Sequence, residues 1–366
     1  MRIFSAVTLL LATVSTALAA PHWTMQYFLD EDKRSLALTS IAFPSAQRGL
    51  AAGAIIDQGK EKPVVMVTSN GGSAWTEVAV PEVGHSLFCL DETACWMVTG
   101  RGIWFSSEAG RAWKRLYKQE GLVRVHFASR ERGWALGALK KLLETSDGGK
   151  TWTKVAAAET LKTSIERTVF HAITFLTPRH GLIAARSEPP VRRDEKPLWM
   201  DSEAESRKER PTVTALLETQ DGGKTWREST LSMFGRLSKL TIPTAGGKAL
   251  GLIEYDRFFQ YPAEVYLYTF TSRTFLRTLR LKDFAPTDVA VTAAGPGLAV
   301  GFQPPGALAR SPVPGRVRAF ISGDLENWVE MEVDYRAVAR RVSLAAVDAK
   351  NVWLATDTGM ILRLVD

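Results

Sequence analysis

Short runs of alternating apolar and small residues, separated by polar turns, recur along the whole chain. Three of them, at 41–53, 125–137 and 173–185, align closely, and in each a Phe is followed six residues later by a Gly. These pairs are Phe43/Gly49, Phe127/Gly133 and Phe175/Gly181, with weaker copies at Ile242/Lys248, Val291/Gly297 and Ala346/Val352. Alternation with a period of two is typical of β-strands. Each copy therefore predicts a pair of short strands joined by a turn.

A second repeat follows these strand pairs and is suited to a tight turn. Its pattern is Ser/Thr-x-Asp-x-Gly-x-Thr-Trp, an Asp-box, found at 68–75, 106–113, 145–152 and 219–226, with a shortened copy at 322–328. Asp or Asn can bond the turn backbone, Gly adopts a positive φ, and Trp is expected to pack beneath the turn. The residues predicted to have this structural role are Asn70, Trp75, Trp113, Asp147, Gly149, Trp152, Asp221, Gly223 and Trp226. Glu108 replaces Asp in the second box, so a looser turn is expected there.

Together the two repeats define seven units of four short strands, with Cys89 and Cys95 at the Phe and Gly positions of one unit. Units of about 50 residues with four strands are typical of β-propeller blades. We predict an all-β fold, a single seven-bladed β-propeller over residues 20–366. The last unit lacks its outer strand, which the alternating segment 22–29 is expected to supply, closing the ring. Six or eight blades are the alternatives, because the fifth and sixth units lack a good box.

The start of the chain predicts export. Residues 1–19 hold one early charge, Arg2, a central run of leucines and the small-residue site Ala17-Leu18-Ala19. This pattern predicts a secretory signal peptide that is cleaved after Ala19. A short membrane anchor is the alternative, but the apolar run is shorter than the ~20 residues that span a bilayer. We therefore expect a soluble protein in the periplasm or the extracellular medium.

Composition and cysteine content agree with this picture. The 366 residues are 45% hydrophobic and 23% charged, with a net charge of +7, which excludes a disordered or collagen-like chain. The two cysteines, Cys89 and Cys95, are predicted to face each other across a hairpin. Because exported proteins meet an oxidising compartment, we expect a disulfide between them. A redox dithiol is the disfavoured alternative, since the spacing is not CxxC.

The binding surface is predicted on the face that carries the longest loops, the largest of them at about 187–210. Acidic and basic residues nearly balance in that loop, which disfavours a nucleic-acid-binding arm. On the same face, residues near the starts of the inner strands predict a basic channel mouth that binds an acidic ligand or partner loop. These residues are His85, Arg124, His171, Lys239, Arg340 and Arg341, opposed by Asp288. Ordinary solvated side chains are the alternative interpretation.

A second candidate contact is the aromatic segment that follows the fifth unit's second strand. It contains Arg257, Phe258, Phe259 and Tyr261. Aromatic residues beside Arg are typical of interface hot spots and of surfaces on which glycans stack. The alternative is that they cap the edge of their own blade. His85 and His171 have equivalent positions in their units, but without further ligands no metal site is expected.

These repeats resemble those of the photosystem II stability/assembly factor family. The resemblance is strongest over 36–155, where GWALG is followed by LLETSDGGKTW, and it covers roughly half of the chain. It implies an exported propeller that binds and helps to assemble membrane protein complexes, with no cofactor or catalytic centre. On that basis we expect a membrane or envelope protein as partner, no nucleic acid, no cofactor and a monomeric chain.

Asp-boxes also occur in sialidases and other glycoside hydrolases, so a carbohydrate-active propeller is the alternative function. A sialidase-like site would need an Arg triad, a Tyr nucleophile with a Glu partner, and an Asp acid. Glu254-Tyr255-Asp256 brings such residues together, but neighbours in a strand point to opposite faces. Asp288 and Glu254 are poor candidates for the paired carboxylates of glycoside hydrolysis. We therefore expect no catalytic residues.

Overall fold

The computed structural model describes residues 21–190, 200, 210–241, 247–255, 260–272, 274–292, 295–305 and 315–365. The predicted signal peptide and most of the 187–210 loop lie outside these residues. So do Arg257, Phe258 and Phe259 of the aromatic segment, and Ile242 of the weaker repeat.

Twenty-eight strands account for nearly all of the regular structure in the described residues. The first strand, β1 (His22–Tyr27), belongs to the last sheet, and the next twenty form five antiparallel four-stranded sheets in chain order. Sheet one contains β2 (Arg34–Ala42), β3 (Gly49–Asp57), β4 (Lys60–Thr68) and β5 (Thr76–Ala79), and sheet two contains β6 (Gly84–Cys89), β7 (Cys95–Thr99), β8 (Gly102–Ser106) and β9 (Lys114–Lys118). Sheet three contains β10 (Leu122–Phe127), β11 (Gly133–Gly137), β12 (Leu142–Thr145) and β13 (Thr153–Lys154), and sheet four contains β14 (Thr168–Phe175), β15 (Gly181–Ser187), β16 (Thr212–Thr219) and β17 (Arg227–Met233). Sheet five contains β18 (Arg236–Thr241), β19 (Lys248–Glu254), β20 (Ala263–Thr269) and β21 (Thr274–Leu279).

The remaining strands form one eight-stranded sheet that includes both ends of the described chain. They are β22 (Ala285–Val291), β23 (Gly297–Phe302), β24 (Val317–Ser322), β25 (Val329–Val333), β26 (Val342–Ala346), β27 (Val352–Thr356) and β28 (Ile361–Val365), in the order β22-β23-β24-β25-β1-β28-β27-β26. Strand β1 pairs antiparallel with β28 and parallel with β25. The alternating segment at 22–29 thus lies where the sequence predicts it, beside the last strand.

The sheets follow one another in a ring around a central channel. Their inner strands are β2, β6, β10, β14, β18, β22 and β26, each in contact with the next, and β26 contacts β2. This is the arrangement of a β-propeller, and the predicted all-β class is confirmed. The described residues also include one short helix, α1 (Ala156–Thr160), and no helix among them is long and apolar enough to cross a membrane.

The Phe–Gly pairs explain how neighbouring sheets pack. The Phe43 ring lies over its own Gly49, where a Cβ atom would stand only 2.3 Å from the ring. The other face of the ring stacks on Trp353 of the preceding sheet, with 3.6 Å between the centroids. The same stacking joins Phe127 to Trp96 and Phe175 to Trp134. Gly is thus required because the ring occupies the space of a side chain.

Buried apolar side chains form one cluster at each contact between consecutive four-stranded runs. The core therefore lies between the sheets, and burial of these faces is the main term that stabilises the ring. The cluster between sheets one and two, for example, contains Leu50 and Met97 from their second strands.

The Asp-box turns have the geometry that their sequence predicts. In the third box, Asp147 Oδ1 accepts the backbone N–H groups of Lys150 and Thr151, each at 3.0 Å. Gly149 has a φ of 92° and donates its N–H to the Thr145 hydroxyl. In the second box, the Ser106 hydroxyl accepts the N–H groups of Glu108 and Gly110, so the turn persists with Glu at the Asp position.

Cys89 and Cys95 pair directly across the first hairpin of sheet two, with their sulfur atoms 2.07 Å apart. This is bonding distance, as expected from the two positions in the repeat. The disulfide replaces the Phe–Gly contact of sheets one, three and four and links the corresponding two strands at the same place.

Candidate partner-binding site

The central channel contains a cavity of about 340 Å³ at one end, lined by inner strands of several sheets. Of the six basic residues predicted at the channel mouth, the cavity brings together His85, Arg124, Lys239 and Arg341. Asp288 lines the same cavity and is the one acidic residue among its described lining residues. The wall is thus predominantly basic.

A repeated β-bulge orients these side chains. The register shifts by one residue at the same point of six inner strands, where the extra residue is Thr39, His85, Val123, His171, Ser238 or Thr287. A bulge sets two residues of one strand opposite one residue of its partner. As a result, both members of the pairs Ser238–Lys239 and Thr287–Asp288 line the cavity.

An ion pair lies in the wall of the cavity. Lys239 Nζ is 2.6 Å from Asp288 Oδ1, and Asp288 is 5% exposed. The Asp288 carboxylate also accepts the backbone N–H groups of Val289 at 2.8 Å and of Leu344 at 2.9 Å. Burial lowers the pKa of Lys239, and the charge of Asp288 opposes that shift. The one carboxylate is therefore already neutralised by the protein.

Arg124 supplies positive charge that this ion pair does not cancel. Its side chain is half-buried, and burial lowers the pKa of its guanidinium. The charge of Asp288 opposes that shift, whereas the nearby Arg341 adds to it. Two cations that repel each other at a concave site attract an anionic group, because such a group relieves the repulsion.

The basic character continues onto the rim of the cavity. The Arg341 side chain is 62% exposed, and its Nη2 lies 3.7 Å from Glu254 Oε1. Arg186 Nε of β15 lies 3.5 Å from Glu188 Oε1. Burial lowers the pKa of Arg186, and the neighbouring charges of Arg236 and Arg341 lower it further. Glu254 and Glu188 thus each lie close to an Arg.

Two residues predicted at the mouth lie elsewhere. His171 is the bulged residue of β14, only 8% exposed, with Nδ1 3.3 Å from the Val169 carbonyl oxygen. Burial, reinforced by the charge of Arg186, lowers its pKa to about 4, so it is neutral near pH 7. Arg340 lines a separate, mainly apolar cavity of about 260 Å³ with Phe302 and Pro305. Sequence adjacency to Arg341 therefore does not bring the Arg340 side chain into the channel cavity.

Tyr261, from the aromatic segment, packs against its own sheet. The guanidinium of Arg280 lies 3.6 Å from the centroid of its ring, and Arg280 Nε lies 3.1 Å from Glu264 Oε1. Glu264 is 4% exposed and accepts the hydroxyl groups of Tyr255 at 2.7 Å and Tyr266 at 2.5 Å. Tyr261 therefore follows the alternative stated above, in which it caps the edge of its own blade.

Tyr255 and Glu264 are the kind of Tyr–Glu pair that a sialidase-like mechanism needs. Burial and the hydrogen bond to Glu264 raise the pKa of Tyr255 well above its usual value. A raised pKa disfavours the phenolate that would act as a nucleophile. In the described part of the chain, no group of three or more His, Cys, Asp or Glu side chains is arranged to hold a metal ion.

Hydroxyl-bearing residues of the cavity wall were not anticipated from the sequence. They are Thr39, Ser40, Ser86, Ser238, Thr287 and Ser343. The signal that points to them is their position, at or next to the repeated bulge, where most inner strands carry a polar residue within an otherwise apolar run. The hydroxyl groups of Thr39, Ser238 and Thr287 already donate to backbone carbonyl oxygens, so the cations are the main donors of the cavity for an anionic group.

Neither a protein-family model nor a curated protein matches this chain. Several solved structures, however, are similar to this chain. The chain is similar to YCF48 from Cyanidioschyzon merolae at 13% identity and a TM-score of 0.60, and to a YCF48 bound to D1 peptide at 14% and 0.59. Each comparison covers 94% of this chain and 98% of the other. An ancestral GH74 enzyme is similar at 11% identity and a TM-score of 0.59, over 94% of this chain and 46% of the enzyme.

These similarities establish the fold. YCF48 and a GH74 enzyme both match at TM-scores near 0.6, so the match is to the arrangement of sheets and not to one activity. The chain is a β-propeller of the kind that both groups share.

Proposed function

We propose that this chain is an exported, non-catalytic β-propeller that binds an acidic segment of a protein partner at the mouth of its channel. The observation that carries the proposal is the composition of the 340 Å³ cavity. It contains Arg124, Lys239, Arg341 and His85 against a single carboxylate, Asp288, which the protein itself pairs. An acidic side chain or a chain terminus supplies the missing negative charge.

The partner is a membrane or envelope protein in this proposal. The sequence resemblance to photosystem assembly factors implies such a partner, and a propeller of this fold has been solved with a bound peptide, the D1 peptide in YCF48. Export follows from the predicted signal peptide, and the Cys89–Cys95 disulfide is compatible with an oxidising compartment.

We count seven blades in this propeller. Two observations support the count: seven inner strands follow one another around the channel, and seven apolar clusters lie between consecutive runs of four strands. The eight-stranded sheet then contains two blades, β22–β25 and β26–β28 with β1, which are linked by the parallel pairing of β1 with β25.

A labelled hexaglutamate peptide tests the site by fluorescence anisotropy. We expect binding that weakens as salt is added, and a loss of about tenfold in affinity for Arg341→Glu. Arg336→Glu is the matched control, because Arg336 lies in the same segment but is paired with Asp334 at 2.6 Å. Equal losses in the two variants, or no binding by the parent protein, would contradict the proposed site.

The partner itself is sought by pull-down from a membrane and periplasm extract, with the Arg341→Glu protein as a parallel bait. A membrane protein retained by the parent and lost with the variant supports an assembly or interaction role. Retention of a glycan on an array, with no protein partner, supports the carbohydrate-active alternative instead.

The alternative function, glycan binding or hydrolysis, draws on the likeness to the GH74 enzyme and on the Tyr255–Glu264 pair. It is tested by incubating the protein with a panel of oligosaccharides and measuring released sugar. We expect none above a Tyr255→Phe control, because the raised pKa of Tyr255 leaves it protonated.

A further inference from the structure

Three neighbouring segments of sheet three form one continuous surface on the face that carries the channel mouth. This surface, the sheet-three patch, consists of residues 118–124, 138–141 and 154–167. Ala138 donates its N–H to the Gly121 carbonyl at 2.8 Å, and Lys140 Nζ donates to the Leu161 carbonyl at 2.6 Å. A cleft of about 190 Å³ lies between the second and third segments. The three segments are thus held together as a unit.

The patch exposes three large apolar side chains to solvent. Val123, Leu139 and Ile165 are 37%, 51% and 58% exposed. They are three of the nine large hydrophobic residues that are exposed in the described part of the chain. Leu139 and Ile165 stand on opposite sides of the cleft. Scattered apolar residues are common on surfaces, but three within one small patch indicate a contact.

Leu139 is exposed at the cost of backbone strain. The turn between β11 and β12 has two central residues, Leu139 and Lys140, with φ values of 56° and 57°. Asn-Gly is the usual choice for such a turn, because a side chain is disfavoured at positive φ. A large apolar residue at a strained position is typical of functional sites, where the contacts of the side chain outweigh the cost of the backbone strain.

The same three segments are strongly basic. They carry seven cationic residues, Lys118, Arg124, Lys140, Lys141, Lys154, Lys162 and Arg167. Against these stand three acidic residues, Glu120, Glu159 and Glu166, so the net charge of the segments is 7 − 3 = +4. Arg124 lines the channel cavity, so +3 of this charge belongs to the patch itself. Nearly half of the chain's net charge of +7 is therefore concentrated on this surface.

We propose that the sheet-three patch docks on the surface of an anionic lipid bilayer. Apolar side chains at the tips of turns, surrounded by lysines, are suited to the boundary between headgroups and acyl chains. Leu139 and Ile165 enter that boundary, and the lysines contact the lipid phosphates. A lipid surface is favoured over an acidic protein because the apolar groups protrude as separate tips. Docking would hold the adjacent channel mouth close to the membrane, and it does not depend on what the mouth binds.

Sedimentation with lipid vesicles tests this proposal. Vesicles of phosphatidylcholine with about 30 mol% phosphatidylglycerol should bind the protein at least about tenfold more strongly than phosphatidylcholine alone. The variant Leu139→Asn with Ile165→Ser should lose about tenfold in binding, as should Lys141→Glu with Lys162→Glu. Asn is favoured at positive φ, so the first variant keeps the turn and the fold.

The matched control is Leu276→Ser with Val329→Ser, which removes two equally exposed apolar residues from outer strands. Its vesicle binding should stay within about twofold of the parent. Equal vesicle binding by the patch variants and the control would overturn the proposal. Equal binding to vesicles with and without phosphatidylglycerol would overturn it as well. Absence of vesicle binding, with loss of hexaglutamate binding in the patch variants, would overturn it in favour of an acidic protein partner.

Discussion

The ring of Phe43 lies parallel to the indole of Trp353, 310 positions later in the chain, with an angle of 3° between the planes. The contact joins the first four-stranded sheet to the last sheet. Trp353 also donates its Nε1–H to the Gly71 carbonyl at 3.0 Å, so it contacts both the hairpin and the Asp-box turn of sheet one. This aromatic pair and this hydrogen bond therefore belong to the buried cluster that joins the first sheet to the last.

Replacing Phe43 should open this junction. Phe43→Ala removes the ring that fills the space between Gly49 and Trp353, and we expect the free energy of unfolding to fall by about 3–5 kcal/mol. Denaturant unfolding followed by Trp fluorescence measures the loss. Phe28→Ala, at a 44% exposed site, is the control and should change stability by less than about 0.5 kcal/mol. Similar losses in both would contradict the packing described here.

Gly49 should be intolerant of a methyl group for the same reason. The Cβ of Gly49→Ala would stand 2.3 Å from Cζ of Phe43, so the ring must move off Trp353. We expect a loss of about 1–3 kcal/mol. Gly323→Ala places its Cβ in open space and should be neutral or slightly stabilising. A stable Gly49→Ala protein, measured by thermal unfolding, would show that the ring does not need this position.

Asp288 should be required for stability as well as for shaping the cavity. Asp288→Asn leaves Lys239, which has a 23% exposed side chain, without its counter-charge. We expect a loss of about 3 kcal/mol, most of it regained in the double variant with Lys239→Met. Asp334→Asn breaks an ion pair with the exposed Arg336 and should cost less than about 1 kcal/mol. A double variant no more stable than the single one would contradict this account.

The Asp-boxes should make stability depend on acid pH. The hydrogen bond from the Thr225 hydroxyl, followed by that from the Thr225 backbone, lowers the pKa of Asp221 from 3.8 to about 2. A lowered pKa in the folded state stabilises the protein above pH 3.8, and that contribution is lost as the pH falls towards 2. Asp221→Asn should therefore lower Tm at neutral pH and flatten the dependence of Tm on pH between these values. Parallel curves for variant and parent would contradict the shift.

A Phe–Gly pair should partly replace the stabilising effect of the Cys89–Cys95 disulfide. Cys89→Ser with Cys95→Ser opens a loop between residues six apart and should cost about 2 kcal/mol. Cys89→Phe with Cys95→Gly installs the pair used by other sheets and should regain part of that loss by packing. Thermal unfolding of the three proteins with and without reductant measures both effects. Reductant should destabilise the parent only, and an equal response in the Phe–Gly variant would contradict the prediction.

Local geometry was predictable from the sequence, because its causes are local. The turn at 145–152 follows from the hydrogen-bonding of Asp147 and the positive φ of Gly149, and both act within a few residues. The six-residue spacing of Phe43 and Gly49 likewise predicts their hairpin. The stacking of Phe43 on Trp353 was not predictable in this way, because it depends on which sheets become neighbours in space.

The candidate site was predictable only to the level of the strand. Inner-strand positions identify Arg124, Lys239 and Asp288 as residues near the channel, and the structure places all three at one cavity. The bulge helps to decide which side chains reach that cavity, and its sequence mark is only a polar residue within an apolar run. His85 and His171 both occupy the bulge of their strands, yet His171 is buried and His85 is exposed, so the position in the repeat does not by itself fix exposure.

The pairing of β1 with β25 and β28 determines when the ring can close. Thr24 pairs with Arg363, and the two residues are 339 positions apart in the chain. Contacts between such distant residues form late, since a long loop must be ordered before they contribute. Until then β25 and β28 present unpaired edges to other chains. The interval between the synthesis of β28 and its pairing with β1 is therefore a period in which a newly made chain is exposed to aggregation.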